Sequence, residues 1–78
     1  MKVKVKYLGL IVDHTKCKEE QFDLKTASFE ELESQLRSKY TFLHDISYKI
    51  TINHEFGKKG IMINEEDEIA ILPPFAGG

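Results

Sequence analysis

The sequence has 78 residues, 41% hydrophobic and 31% charged, with 11 Lys and Arg against 13 Asp and Glu. That is the size and balance of one folded domain, too apolar for a disordered chain and too evenly charged for phosphate binding through a basic excess. The longest apolar runs, residues 10–12 and 69–72, fall far short of a membrane span, no apolar leader follows Met1, and the single Cys17 excludes an internal disulfide and fits a reducing, cytoplasmic setting.

Residues 2–8 alternate, with Val3, Val5 and Tyr7 on one face and Lys2, Lys4 and Lys6 on the other, the period of a half-buried strand. Gly9 breaks the run, and Asp13, His14, Thr15 and Lys16 read as a loop. Residues 20–24 place Phe22 and Leu24 two apart, which predicts a second strand paired with the first as a hairpin. Ser28-Phe29-Glu30-Glu31 has the spacing of a capping box, in which Ser28 starts a helix and Glu31 reaches back to the Ser28 amide. Phe29, Leu32, Leu36 and Tyr40 then share one helical stripe, and Arg37 and Lys39 sit where the helix end carries partial negative charge.

Beyond a loop at 43–45, residues 48–53 alternate again with Ile50 and Ile52 turned the same way. Residues 53–60 are rich in turn formers, 61–63 read as a short edge strand or a turn, and 64–68 as an acidic turn. Residues 69–72 form a last strand, which Pro73-Pro74 stop because proline cannot donate to a ladder. The order is β-β-α-β-β, an α+β domain over residues 1–74 with a flexible tail at 75–78. A hairpin, then a helix across one face of a mixed sheet, lets the last strand lie parallel to the first in the sheet centre by a right-handed crossover.

The tail carries the chemistry. The two prolines stiffen its exit, and Gly77 and Gly78 close the sequence. Without a Cβ, Gly77 passes a slot that other residues would block, and the carboxylate of Gly78 is unhindered. A carboxylate becomes an electrophile once activated as a mixed anhydride, which adenylation by ATP on a partner enzyme provides; a sulfur nucleophile then displaces AMP. Two glycines alone also suit a frayed chain end.

Residues 64–78, Asn64-Glu65-Glu66-Asp67-Glu68 followed by Ile69-Ala70-Ile71-Leu72 and Pro73-Pro74-Phe75-Ala76-Gly77-Gly78, resemble the acidic turn, final strand and Pro-Pro-x-x-Gly-Gly ending of molybdopterin synthase small subunits. The opening Val3-Lys4-Val5-Lys6-Tyr7-Leu8-Gly9 is similar to their first strand, and Lys49-Ile50-Thr51-Ile52-Asn53 to an inner one. The family often has an Arg-Glu pair in the loop after the first strand and a glycine in the acidic turn; this sequence has neither.

The resemblance implies a ubiquitin-like β-grasp fold and a sulfur-carrier role. A ubiquitin-activating-like enzyme would adenylate Gly78 with ATP used in trans, a persulfide donor would convert it to a thiocarboxylate, and the tail would thread into a large catalytic subunit to build the dithiolene of molybdopterin. The chain would bind no cofactor or metal, would not be an enzyme by itself, and would work in a heterotetramer, without nucleic acid or membrane as partner.

Strand parity adds a surface. Leu8 shares the outer face with Lys2, Lys4 and Lys6, while Ala70 and Leu72 face outward if Ile69 and Ile71 face the core. With Phe56 and Phe75 they form one apolar patch around the tail exit, and such patches mark interfaces. In the family the positions of Leu8, Phe56 and Leu72 meet the large subunit, and Pro73, Pro74, Phe75 and Ala76 lead the tail into it.

Other features carry less. His14 and Cys17 supply two ligands where a zinc site needs four, and His44 and His54 have no evident catalytic partner. The acidic run 65–68 suits either solvent or a basic groove on the adenylating enzyme. The lysine face lacks the aromatic residues that stack on bases. Alternative functions are a sulfur carrier for the thiamin thiazole, which typically lacks the proline pair, a ubiquitin-like protein modifier, and a plain binding module.

Overall fold

The computed structural model describes residues 1–73, so the expectations for Pro74, Phe75, Ala76, Gly77 and Gly78 lie outside the described residues. Along the chain come β1 (Lys2–Tyr7), α1 (Leu10–Thr15), β2 (Glu19–Asp23), α2 (Phe29–Lys39), a 3-10 turn (Thr41–His44), β3 (Lys49–Ile52), β4 (Glu55–Phe56) and β5 (Ile69–Leu72). The strands form one sheet in the order β2-β1-β5-β3-β4. β1 and β5 run parallel at its centre, with Lys6 opposite Ala70 and Tyr7 opposite Ile71. β1 pairs β2, and β3 pairs both β5 and β4, all antiparallel. This is the β-grasp topology expected from the order of elements.

The period-two patterns decide which face is buried. Val3, Val5 and Tyr7 of β1, Ile50 and Ile52 of β3, and Ile69 and Ile71 of β5 all point into the core. The stripe Phe29, Leu32 and Leu36 of α2 meets them there, and Ile11, Leu24, Leu43 and Ile63 close the sides. Among the described residues, the outer face of the sheet has no helix on it, and it carries Lys2, Lys4, Lys6 and Lys49, all exposed. Among the described residues, no helix is long and apolar enough to cross a membrane.

Four local features depart from the sequence reading. Residues 10–15, expected as a loop, wind into α1. Its entry is set by Gly9 at φ 55°, ψ −133° and its exit by Lys16 at φ 66°, and Ile11 anchors it in the core, fully buried. The turn-rich stretch contains β4. Asn53 (φ 54°) and His54 (φ 70°) both take left-handed backbone, the requirement of a two-residue hairpin turn that matches strand twist. Residues 61–63 make one bridge, Ser28 to Met62, rather than a strand.

The fourth departure concerns the start of α2. Ser28 Oγ accepts from the Glu31 amide at 3.2 Å, as a cap should. Glu31, however, does not turn back to Ser28. Its carboxylate accepts from the amides of Lys25 (2.8 Å) and Thr26 (2.6 Å) and from the Thr26 hydroxyl (2.7 Å). These hydrogen bonds, first that from the Lys25 amide, hold its carboxyl down at about 2. Glu31 therefore ties the β2–α2 loop to the helix instead of closing a capping box.

Candidate docking face and tail root

The residues singled out by strand parity do meet. Leu8, Phe56, Ala70 and Leu72 line one groove on the outer face, together with Lys6, Thr51, His54 and Glu68. The register explains why. Ala70 lies beside Lys6 on β1 and beside Thr51 on β3, and Thr51 lies opposite Phe56 on β4. One row across four strands thus reads Lys, Ala, Thr, Phe, with two short side chains between longer ones. One step towards the tail, Leu72 lies opposite Lys49, and the Leu8 amide donates to the Ile71 carbonyl at 3.2 Å, extending the β1–β5 ladder past the strand end. Leu8 is 42% exposed and Phe56 67%, far above the near-zero values of the core aliphatics.

The far end of the groove is polar and braced. Asn53 Nδ2 donates to Asp67 Oδ1 at 3.0 Å and the Glu68 amide donates to Asn53 Oδ1 at 2.9 Å, so the β3–β4 turn and the acidic turn hold each other. Asp67 Oδ2 also accepts from the Asn64 amide at 2.8 Å. A short polar side chain here does the turn-closing that a glycine would do through backbone freedom. His54 Nε2 sits 3.5 Å from Glu68 Oε1. His54 and Glu68 were therefore missed as groove residues, because a turn residue has no strand period to reveal its side.

Pro73, expected to lead the tail into the partner, is buried in the isolated chain. It packs on Gly9, where a Cβ would stand 3.1 Å from Pro73 Cγ. The patch exposed around the tail root among the described residues is Leu8, Leu72 and Phe56, while Pro73 anchors the tail to the body. Pro74, Phe75, Ala76, Gly77 and Gly78 lie outside the described residues.

The remaining polar candidates are structural. His14 stacks on Phe42 with ring centroids 4.3 Å apart, and His44 Nδ1 lies 2.8 Å from Arg37 Nη2. Cys17 is a half-buried free thiol. Among the described residues no three His, Cys, Asp or Glu side chains converge as a metal site. Behind the sheet edge, Glu20 accepts from Tyr7 (2.8 Å), Tyr40 (2.6 Å) and Lys39. Burial works against the Glu20 charge, but hydrogen bonds from Lys39, Tyr40 and Tyr7 outweigh it and hold the carboxyl below its ordinary value. Burial, then the Glu20 hydrogen bond, pushes both tyrosines above theirs.

Comparison with known proteins agrees with this geometry. A family model described as the ThiS family matches residues 5–78. The fold is shared with subunit 1 of a molybdopterin converting factor from Pyrococcus furiosus, at a TM-score of 0.83 and 19% identity over 95% of this chain and 98% of that one. It is also shared with SAMP1 from Haloferax volcanii, at 0.81 and 16% over the whole of both chains. A complex of subunits 1 and 2 of molybdopterin-converting factor from Helicobacter pylori 26695 matches at 0.71 and 23%, again over the whole of both chains. At these identities the structural likeness is one of fold.

Proposed function

The chain belongs to the ThiS family of sulfur carriers, and from that premise we propose that it is the small subunit of a molybdopterin synthase, with Gly78 as the residue that carries sulfur. The observation that carries this reading is the union of two features. An apolar groove formed by Leu8, Phe56, Ala70 and Leu72 lies at the root of a tail that leaves the central strand β5 and runs through Pro73-Pro74 to Gly77-Gly78. The groove docks the partner, and the tail delivers the reacting group.

The chemistry follows in steps that balance. On a ubiquitin-activating-like enzyme, the Gly78 carboxylate attacks the α-phosphorus of ATP, giving an acyl-adenylate and pyrophosphate. Hydrosulfide then displaces AMP to leave a thiocarboxylate directly, or a persulfide displaces it to give an acyl disulfide whose S–S bond a second thiol breaks by disulfide exchange, releasing the thiocarboxylate. In the large subunit that sulfur bonds to a pyranopterin precursor, and water cleaves the resulting thioester, returning Gly78 to a carboxylate. Two such deliveries supply the two sulfurs of a dithiolene. Gly77 gives clearance in the slot, and the acid–base groups belong to the large subunit. A heterotetramer with two small subunits at the ends of a large-subunit dimer suits this division of labour.

The Pro73-Pro74 pair ahead of the closing glycines, which thiazole carriers typically lack, favours this pathway, and the Pyrococcus and Helicobacter converting factor subunits share its fold. A second reading, a ubiquitin-like protein modifier, draws on the likeness to small archaeal modifier proteins, including that of Methanosarcina acetivorans at 23% identity. Delivery of sulfur to the thiamin thiazole is a third. All three begin with the same adenylate. Intact-protein mass spectrometry after incubation with the adenylating enzyme, ATP and a sulfide source tests the shared step. The expected result is a gain equal to exchanging one oxygen for sulfur, localised to Gly78. Formation of molybdopterin when the product is mixed with the large subunit and precursor selects the pathway. An unchanged mass, with the enzyme active on its own carrier, overturns the carrier reading for this chain.

A further inference from the structure

The charges around the groove say more about the partner than its apolar floor does. Resting on the proposed function above, we infer that the docking element received from the catalytic subunit is an apolar side chain bracketed by carboxylates. The floor of the groove is Ala70 and Thr51, neighbours across the β3–β5 ladder. Their short side chains leave a notch between Leu8 and Leu72 on one side and Phe56 on the other. A notch of that kind takes a protruding side chain from the partner, the arrangement in which interface residues contribute most.

Two lysines stand at opposite flanks of this notch. Lys6 lies beside Ala70 on β1. Lys49 lies opposite Leu72, with Nζ 5.8 Å from the Phe56 ring centroid. Elsewhere on this face, Lys4 Nζ is 3.2 Å from Glu19 Oε2, Glu68 Oε1 lies 3.5 Å from His54 Nε2 at the polar end, and Lys2 stands at the far end of β1. Among the described residues, neither Lys6 nor Lys49 forms an ion pair. Their apolar stems extend the greasy rim while their ammonium groups remain available.

A wholly apolar partner surface would crowd these two cations without compensation, and a basic one would repel them. Carboxylates on either side of the inserted side chain satisfy both. They would also steer the encounter and fix its orientation, because one cation lies on each side of the notch.

The test measures binding of the full-length chain to the molybdopterin synthase catalytic subunit of the same organism, at low and physiological salt. Both lysines are exposed, so Lys6→Glu and Lys49→Glu leave the fold intact, which thermal unfolding checks. Each reversal should weaken binding at least about tenfold at low salt and reduce its salt dependence. Lys2→Glu is the control. It lies on the same strand and face, about 13 Å from Lys6 at roughly 3.3 Å per residue, beyond the ~8 Å screening length of physiological salt, and at that salt should change affinity less than about twofold. Wild-type binding that neither reversal weakens overturns the acidic rim and leaves the carrier function standing. Absence of wild-type binding overturns both the rim and the choice of partner, and the Gly78 mass shift then shows whether carrier chemistry survives.

Discussion

At Glu20, three side chains from distant parts of the chain converge. Glu20 accepts from Tyr7, Tyr40 and Lys39, joining β1, β2 and the end of α2, and its side chain is only 19% exposed. Its carboxyl ionises more readily in the folded chain than its ordinary value of 4.5. The stabilisation is therefore fully present above the unfolded-state value and is lost as pH falls through the lower folded-state value. Glu20→Gln keeps the shape and one acceptor but loses the charge, and should cost about 2 kcal/mol near neutral pH. Urea unfolding at pH 7 and pH 3 checks this: the gap between wild type and variant should narrow at the acid end, below the ordinary value of 4.5 at which the unfolded chain takes up the proton. A gap independent of pH would show that packing rather than charge sets the cost. Nothing in the sequence pointed to Glu20, because its partners lie 13, 19 and 20 residues away and no local period links them.

Elements differed in how far the sequence revealed them, for a physical reason. β1, β3, β5 and α2 bury one face, so burial imprints a period of two or 3.6 that can be counted. α1 and β4 were not legible because neither is long enough to show a period. α1 has six residues and follows a Gly9 whose φ of 55° aims the chain. Its apolar start, Leu10-Ile11-Val12, looks equally like a strand. β4 has two residues and exists because Asn53 and His54 turn the chain back. Asparagine is a familiar signal there; a histidine at positive φ is not. Gly57, just past β4, shows how such short pieces are held. Its amide donates to the Ile50 carbonyl at 2.7 Å, and a Cβ would stand 2.5 Å from Phe29 Cε1 at the start of α2. Gly57→Ala should thus destabilise by about 1–3 kcal/mol, as overpacking does. Equilibrium denaturation reads the loss. A neutral substitution would mean that Phe29 has room to swing aside, and that α2 is not seated on β4.

At the scale of the whole molecule, the sheet divides the labour. Its inner face, with α2, supplies stability, while its outer face is not covered by any helix among the described residues. The candidate patch was legible because Leu8, Ala70 and Leu72 follow from parity, while the brace between Asn53, Asp67 and Glu68 came only with the fold. Separation of the faces makes function and stability separable by mutation. Leu72→Asp, at the half-buried outer end of β5, should abolish binding to the large subunit while the unfolding midpoint moves little, and a pull-down beside a thermal melt reads both. Retained binding would move the interface elsewhere. The packing of Pro73 against Gly9 has a last consequence, one of length. Residue 73 is fixed to the body of the protein, and five residues at no more than about 3.6 Å each keep Gly78 within roughly 18 Å of it, whatever path they take. On the proposed function, any enzyme acting on Gly78 while gripping the outer face would hold its reacting atoms inside that radius, which makes the carrier a ruler as well as a vehicle.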